Sequence, residues 1–307
     1  MTALIKESGV TGVGVIDRER ETELLEAALA SGANVVLEGP PGTGKTTLLR
    51  RVAAARATSF ALVEGNAELT PARLVGHFDP ALVLSRGYQP DVFVDGPLLT
   101  AMREGGLLYV EELNRVPEET LNTLLAVMSE REIAVPRLGL VRAAPGFGVV
   151  AAMNPYDAVG TARVSSAVYD RTCRIAMGYQ SAEAESQIVA LRAPFPSESW
   201  RDKAVALVRA TRSHQELRVG SSVRGAIDLA GINHQLALSR GVAEDDWQVG
   251  LDAALVALSG RIRVDESSTR RPEEVIEELY AAVFGPPPGS GDDAGEQDEE
   301  GRDPGGA

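Results

Sequence analysis

The chain has 307 residues, a formal charge of −14 and 44% hydrophobic residues, enough to bury more than one domain core. That acidity argues against a broad nucleic-acid surface, which needs clustered cations, and no apolar run approaches the roughly 18 residues needed to cross a bilayer. The N-terminal MTALIKESGV lacks the apolar stretch of a secretion signal and Cys173 stands alone, so neither a disulfide framework nor a cysteine zinc site is expected, and the cytoplasm is the expected location.

The first strong signal in chain order is NVVLEG, a short β-branched run that predicts a buried strand over Val35–Leu37. It leads into GPPGTGKTT: Gly39, Pro40, Pro41, Gly42, Thr43, Gly44, Lys45, Thr46 and Thr47. The spacing of Gly39 and Gly44-Lys45-Thr46 is that of a phosphate-binding P-loop. Glycines let the backbone curl until successive N–H groups point at phosphate oxygens. Lys45 adds a point charge, and the Thr46 hydroxyl is a hard oxygen suited to Mg²⁺. KTTLLRRVAAARA then reads as a helix, with Leu48, Leu49, Val52 and Ala53 on one face and its positive end aimed at the same anion.

Further strands are predicted at Phe60–Val63, Leu107–Val110, Phe147–Ala152 and Arg174–Ala176, alternating with helical patterns. Such alternation specifies an α/β fold with a parallel sheet sandwiched by helices. Within it, GGLLYVEELNR places Glu111 and Glu112 at the C-terminal end of a buried strand, the edge where open α/β sheets bind ligands. Adjacent acids there can divide the labour, Glu111 toward Mg²⁺ through water and Glu112 polarising the attacking water. REIAVPRLGLVRAAPG, between Arg131 and Gly146, reads as a β-hairpin turning near Arg137–Gly139. FGVVAAMNPYD ends another apolar strand at Asn154, whose amide could position a water.

From Ser181 onward only helical periods remain, the last opening on Pro272, so a second, all-helical domain is expected over 181–284. Residues 285–307 are Gly, Pro and acid without apolar anchors, the composition of a disordered acidic tail. His77, His214 and His234 are scattered and suggest no metal or catalytic grouping.

The ordered set GPPGTGKT, GPLLTAMREGG, LLYVEELNRVPEETLN, a hairpin, FGVVAAMNP, YDR and GSSVRGAIDLA resembles AAA+ ATPases of the MoxR type. Activase-associated Q proteins, gas-vesicle N proteins and the magnesium-chelatase I subunit belong to the same clade. The likeness runs from about Val13 to Phe284. It implies a P-loop AAA+ module over 1–180, with its hairpin insertion near 131–146, followed by a helical lid. It implies ATP with Mg²⁺, Lys45 and Thr46 as Walker A, Glu111 and Glu112 as Walker B, and Asn154 as sensor 1. Arg171 falls where the family places an arginine finger acting on the neighbouring subunit, with Arg163, Arg174 and Arg115 as rivals, and Arg224 falls at sensor 2. A finger acting in trans implies a homo-oligomeric ring, most often a hexamer. Relatives work with a von Willebrand A domain partner on a client protein, often in metal or cofactor insertion. One departure stands out, because the family usually carries Asp-Glu where this chain has Glu111-Glu112. The extra methylene moves the first carboxylate about 1.5 Å outward, which puts turnover, rather than binding, in question. A nucleotide-gated scaffold with little turnover and a nucleic-acid motor are the alternatives, the second disfavoured by the acidity.

Overall fold

The computed structural model describes residues 15–155 and 166–288, and the chain divides into two compact units after Gln180. Arg163 and the tail beyond residue 288 lie outside the described residues.

The first unit opens with α1 (Glu19–Ala30), β1 (Val35–Glu38), α2 (Lys45–Ala55) and β2 (Phe60–Glu64). A small excursion follows, with α3 (Pro71–Val75), β3 (Gly76–Phe78), α4 (Pro80–Arg86) and β4 (Phe93–Asp95). The chain returns through α5 (Pro97–Glu104) and β5 (Leu107–Glu111) to α6 (Glu118–Glu130). The hairpin strands β6 (Glu132–Val135) and β7 (Gly139–Arg142) come next, then β8 (Gly148–Met153), α7 (Ser166–Asp170) and β9 (Cys173–Ala176).

Five strands form one parallel sheet in the order β2-β5-β8-β1-β9. All five predicted strands are there, each within a residue or so of its expected ends. Because side chains alternate across a strand, consecutive residues feed two separate cores. Val35, Leu37, Leu107, Tyr109 and Val150 pack with Leu25 and Leu29 of α1 and Leu48, Leu49 and Val52 of α2. Val36, Leu108, Val110, Val149 and Ala151 pack on the other face with Leu98, Leu99 and Met102 of α5 and Leu124 and Val127 of α6. Strands buried on both faces read as unbroken apolar runs, which is why the sequence displays them so plainly.

The hairpin joins β6 and β7 in antiparallel register from Glu132↔Arg142 to Val135↔Gly139. Its turn holds Arg137 at φ 66° and Gly139 at φ 93°, both left-handed. The ribbon of β3 and β4 is antiparallel too; strands of three residues leave no period to read.

The second unit holds α8 (Ala182–Arg192), α9 (Glu198–Ser213), β10 (Leu217–Val219), α10 (Val223–Arg240), α11 (Trp247–Leu258), β11 (Arg263–Val264) and α12 (Pro272–Phe284). Trp200, Leu207, Leu229, Leu258, Ile276 and Tyr280 lie in its core. Ser181, Ser197 and Asp246 cap α8, α9 and α11 by accepting backbone N–H groups of the first turn. Pro272 occupies the first turn of α12. The unit is not all helical: β10 and β11 pair as an irregular antiparallel ribbon between helix ends. Among the described residues no helix is long and apolar enough to cross a membrane.

Leu108 sits fully buried in the middle of β5. Leu108→Ala leaves a cavity under the sheet, and urea unfolding is expected to register a loss of about 2–5 kcal/mol.

Candidate active site

The loop after β1 crosses to α2 at the C-terminal edge of the sheet. Gly39 is buried between strands: its N–H bonds Met153 O of β8 at 3.2 Å, and a Cβ there would overlap the carbonyl oxygen of Met177. Gly44 caps α2 at φ 86°, a left-handed turn that costs a side-chain-bearing residue energy. The first turn of α2 therefore leaves its N–H groups facing the loop. Thr43 is fully buried and its hydroxyl donates to Pro40 O at 3.0 Å. Lys45 Nζ donates to Gly39 O at 2.9 Å and Pro40 O at 2.8 Å.

On the facing side, β5 delivers the acids. Thr46 Oγ1 donates to Glu111 Oε1 at 2.6 Å and lies 3.4 Å from the Tyr109 hydroxyl beneath it. With its hydrogen given to Glu111, the Thr46 oxygen keeps its lone pairs for another ligand. Burial pushes the Tyr109 phenol well above the ordinary tyrosine range, so it stays a neutral donor. Glu112 follows at φ 51° and ψ 48°, an uncommon conformation for a residue with a side chain, which closes a 3₁₀ turn over Leu113–Arg115. Arg115 Nε lies 3.1 Å from Glu112 Oε2.

Strand β8 lies between β1 and β5 and ends at Met153, so Asn154 emerges between the P-loop strand and the acids. The buried Asn114 amide reaches toward Asn154 O at 3.5 Å, linking the turn of Glu112 to that strand end.

The fold thus gathers the P-loop, Lys45, Thr46, Glu111, Glu112 and Asn154 at one edge. Arg171 follows α7, where Nε donates to Ser129 Oγ at 2.7 Å and Nη1 to Ala167 O at 3.1 Å. Of its rivals, Arg115 is paired with Glu112 and Arg174 with Glu38. Arg224 belongs to the second unit, exposed in the first turn of α10.

One participant was not legible in the sequence. Arg18, within the charged run DRER, is buried. Its Nη2 donates to Thr43 O at 3.1 Å and Gly178 O at 2.5 Å, its Nε lies 3.3 Å from Thr43 O, and its Nη1 bonds Glu21 at 3.0 Å. It ties the loop backbone to the segment leaving β9. Nothing in that charge pattern separates a buried clamp from surface arginines.

The residues fit a magnesium-bound nucleoside triphosphate. Mg²⁺ keeps several waters and usually takes one or two protein oxygens besides substrate phosphates; Thr46 and Glu111 offer hard oxygens side by side. The loop amides and the N-terminus of α2 make the kind of cradle that holds an anion, and the Lys45 ammonium sits beside it on the carbonyls of Gly39 and Pro40.

Fold and site define a nucleotide-binding P-loop protein. A family model described as "AAA domain (dynein-related subfamily)" matches residues 34–172. A Staphylococcus haemolyticus protein is 30% identical over 215 residues, 68% of this chain and 81% of its own length. YojN of Bacillus subtilis is 31% identical over 245 residues, covering 76% of this chain and 80% of YojN. Among solved structures, the Thermotoga maritima RuvB Holliday junction branch migration motor superposes with a TM-score of 0.52 at 18% identity, over 78% of this chain and 67% of that one, a likeness of fold alone. The chain belongs to the AAA+ family of P-loop ATPases. Members of that family generally bind ATP with Mg²⁺ and typically form oligomeric rings.

Arg18→Met keeps the apolar stem and removes the guanidinium. Charged hydrogen bonds of this kind contribute about 1.5–3 kcal/mol each, so the melting temperature is expected to fall and amide exchange across 39–44 to accelerate.

Proposed function

We propose that the chain is a MoxR-type AAA+ ATPase that hydrolyses ATP to ADP and phosphate in a homo-oligomeric ring, with six subunits the usual number for the class. Hydrolysis would serve to remodel or activate a client protein alongside a von Willebrand A domain partner. The observation that carries the reading is the direct bond from Thr46 to Glu111, with Glu112 one residue beyond and Asn154 between the two halves of the site.

Lys45 turns from the carbonyls of Gly39 and Pro40 to the phosphates, and Thr46 and Glu111 hold the metal side. Magnesium supplies charge neutralisation at the transferred phosphoryl group when bound. Glu112 accepts a proton from water, which requires its carboxylate to leave Arg115. Asn154 orients that water through its amide. Arg171 acts on a neighbour's nucleotide after leaving Ser129, and Arg224 closes from the helical unit as a lid residue. Because Glu111 meets the Thr46 hydroxyl, its longer side chain is compatible with metal-side positioning, which favours turnover over a silent scaffold.

The client surface belongs to the two excursions of the first unit. The Arg137 guanidinium at the hairpin tip stacks 3.6 Å from the Tyr88 ring centroid, joining the hairpin to the segment after α4. Leu84 (91% exposed), Tyr88, Val94 and Leu140 present apolar surface on these segments, the kind that protein contacts use. The cytoplasm is the compartment that suits this reading.

Steady-state hydrolysis of MgATP, with mass by light scattering, tests the proposal. Lys45→Ala is expected to lose nucleotide binding. Glu112→Gln and Arg171→Ala should bind ATP yet lose turnover by about 10²-fold or more. A monomer whose turnover is indifferent to Arg171 would rule out the ring mechanism.

A further inference from the structure

Glu38 is the last residue of β1 and the neighbour of Gly39, yet its side chain is only 5% exposed. A buried carboxylate is costly unless paired and hydrogen-bonded. Here Oε1 accepts from the Tyr169 hydroxyl at 3.0 Å and Oε2 is paired with Arg174 Nε. Its backbone is held equally firmly, with Met177 N–H donating to Glu38 O at 2.7 Å. A valine or leucine at this position would extend the strand's apolar run without the desolvation cost. The carboxylate instead faces the segment that carries Arg171: Tyr169 precedes Arg171 by two residues, and Val168 beside it is fully buried in the core.

On the other side of Glu38 lies the phosphate loop. Lys45 Nζ bonds the carbonyl of Gly39, and turning the ammonium toward a phosphate deprives that carbonyl of its cation. The Gly39–Pro40 peptide then has reason to rotate, one residue along the backbone from Glu38, whose side chain is bonded to Tyr169. Burial, and then the Glu38 carboxylate, raise the Tyr169 phenol above the ordinary tyrosine range, so it remains a donor throughout neutral pH.

We infer that Glu38, Tyr169 and Arg174 form a relay between each subunit's own P-loop and the α7 segment that offers Arg171 to the next subunit, with Glu38 and Tyr169 as positioning residues. The inference rests on the proposed hydrolysis in a ring. It makes readiness of the finger depend on occupancy of the same subunit's nucleotide site, so that neighbouring sites turn over in a coupled order. The contacts from Lys45 to Gly39 and from Glu38 to Tyr169 are contiguous, and the second arrangement that such a path requires is what hydrogen exchange reads.

The test compares wild type, Arg171→Ala, Tyr169→Phe and Glu38→Gln in the full-length chain. Tyr169→Phe deletes one hydroxyl from a partly exposed ring, and Glu38→Gln keeps an acceptor for Tyr169 while removing the charge from Arg174; thermal melts verify folding. Both variants are expected to bind a non-hydrolysable ATP analogue within about twofold of wild type while kcat falls about tenfold, a loss confined to the transition state. Hydrogen exchange gives a readout independent of turnover: in wild type the analogue with Mg²⁺ changes protection over residues 166–172, and in both variants that response is lost. Wild-type kcat and an intact exchange response in Tyr169→Phe, with Arg171→Ala inactive, overturn the relay alone. A wild-type protein without turnover, or full turnover in Arg171→Ala, overturns the reading of the site and the relay with it.

Discussion

The position of β1 between β8 and β9 is the constraint on which the site depends. Because β1 is flanked on both sides, the chain leaving it at Gly39 is pressed against Met153 on one side and Met177 on the other, with no room for a side chain. The turn must therefore be made by backbone alone, and a backbone without side chains is what can wrap an anion. The same arrangement inserts β8 between the P-loop strand and β5, setting Asn154 between the cation-rich and acid-rich halves of the edge. Helices α1, α2, α5 and α6 fix that order by filling both faces of the sheet with apolar side chains.

Charge at this edge is matched locally. Lys45 lies on loop carbonyls, Glu111 on Thr46, Glu112 on Arg115 and Glu38 on Arg174. A phosphate or metal entering the site must compete with these contacts. The half-exposed Glu112–Arg115 pair contributes little on its own, so freeing that carboxylate costs little. Buried Glu38 is different, because losing either partner leaves a desolvated carboxylate.

The sheet was legible because strands buried on both faces are written as apolar runs, and the P-loop because its glycines, lysine and threonine serve one purpose at fixed spacing. The acids at Glu111 and Glu112 were legible by their position at a strand's end. What escaped were contacts between segments distant in sequence. Arg18 reads as one charge among several in DRER, and only folding shows its bonds to Thr43 and Gly178. Glu38 reads as the end of a strand, and its tie to Tyr169 spans 131 positions. The ribbons of β3 with β4 and β10 with β11 are too short to carry a period, and the second of them breaks the expectation of a purely helical second unit.

Arg18 bears on the entropy of capture. A flexible loop that closes around its ligand surrenders about 1–2 kcal/mol of backbone entropy for each residue it orders. Here much of that ordering is already supplied by a guanidinium that grips the loop from outside the phosphate motif. An anion then meets a loop whose backbone is largely ordered beforehand, and what is left to rearrange is the Lys45 side chain on its carbonyls. The segment just ahead of α1, well before the phosphate motif in sequence, thereby lowers the entropy that capture would otherwise cost.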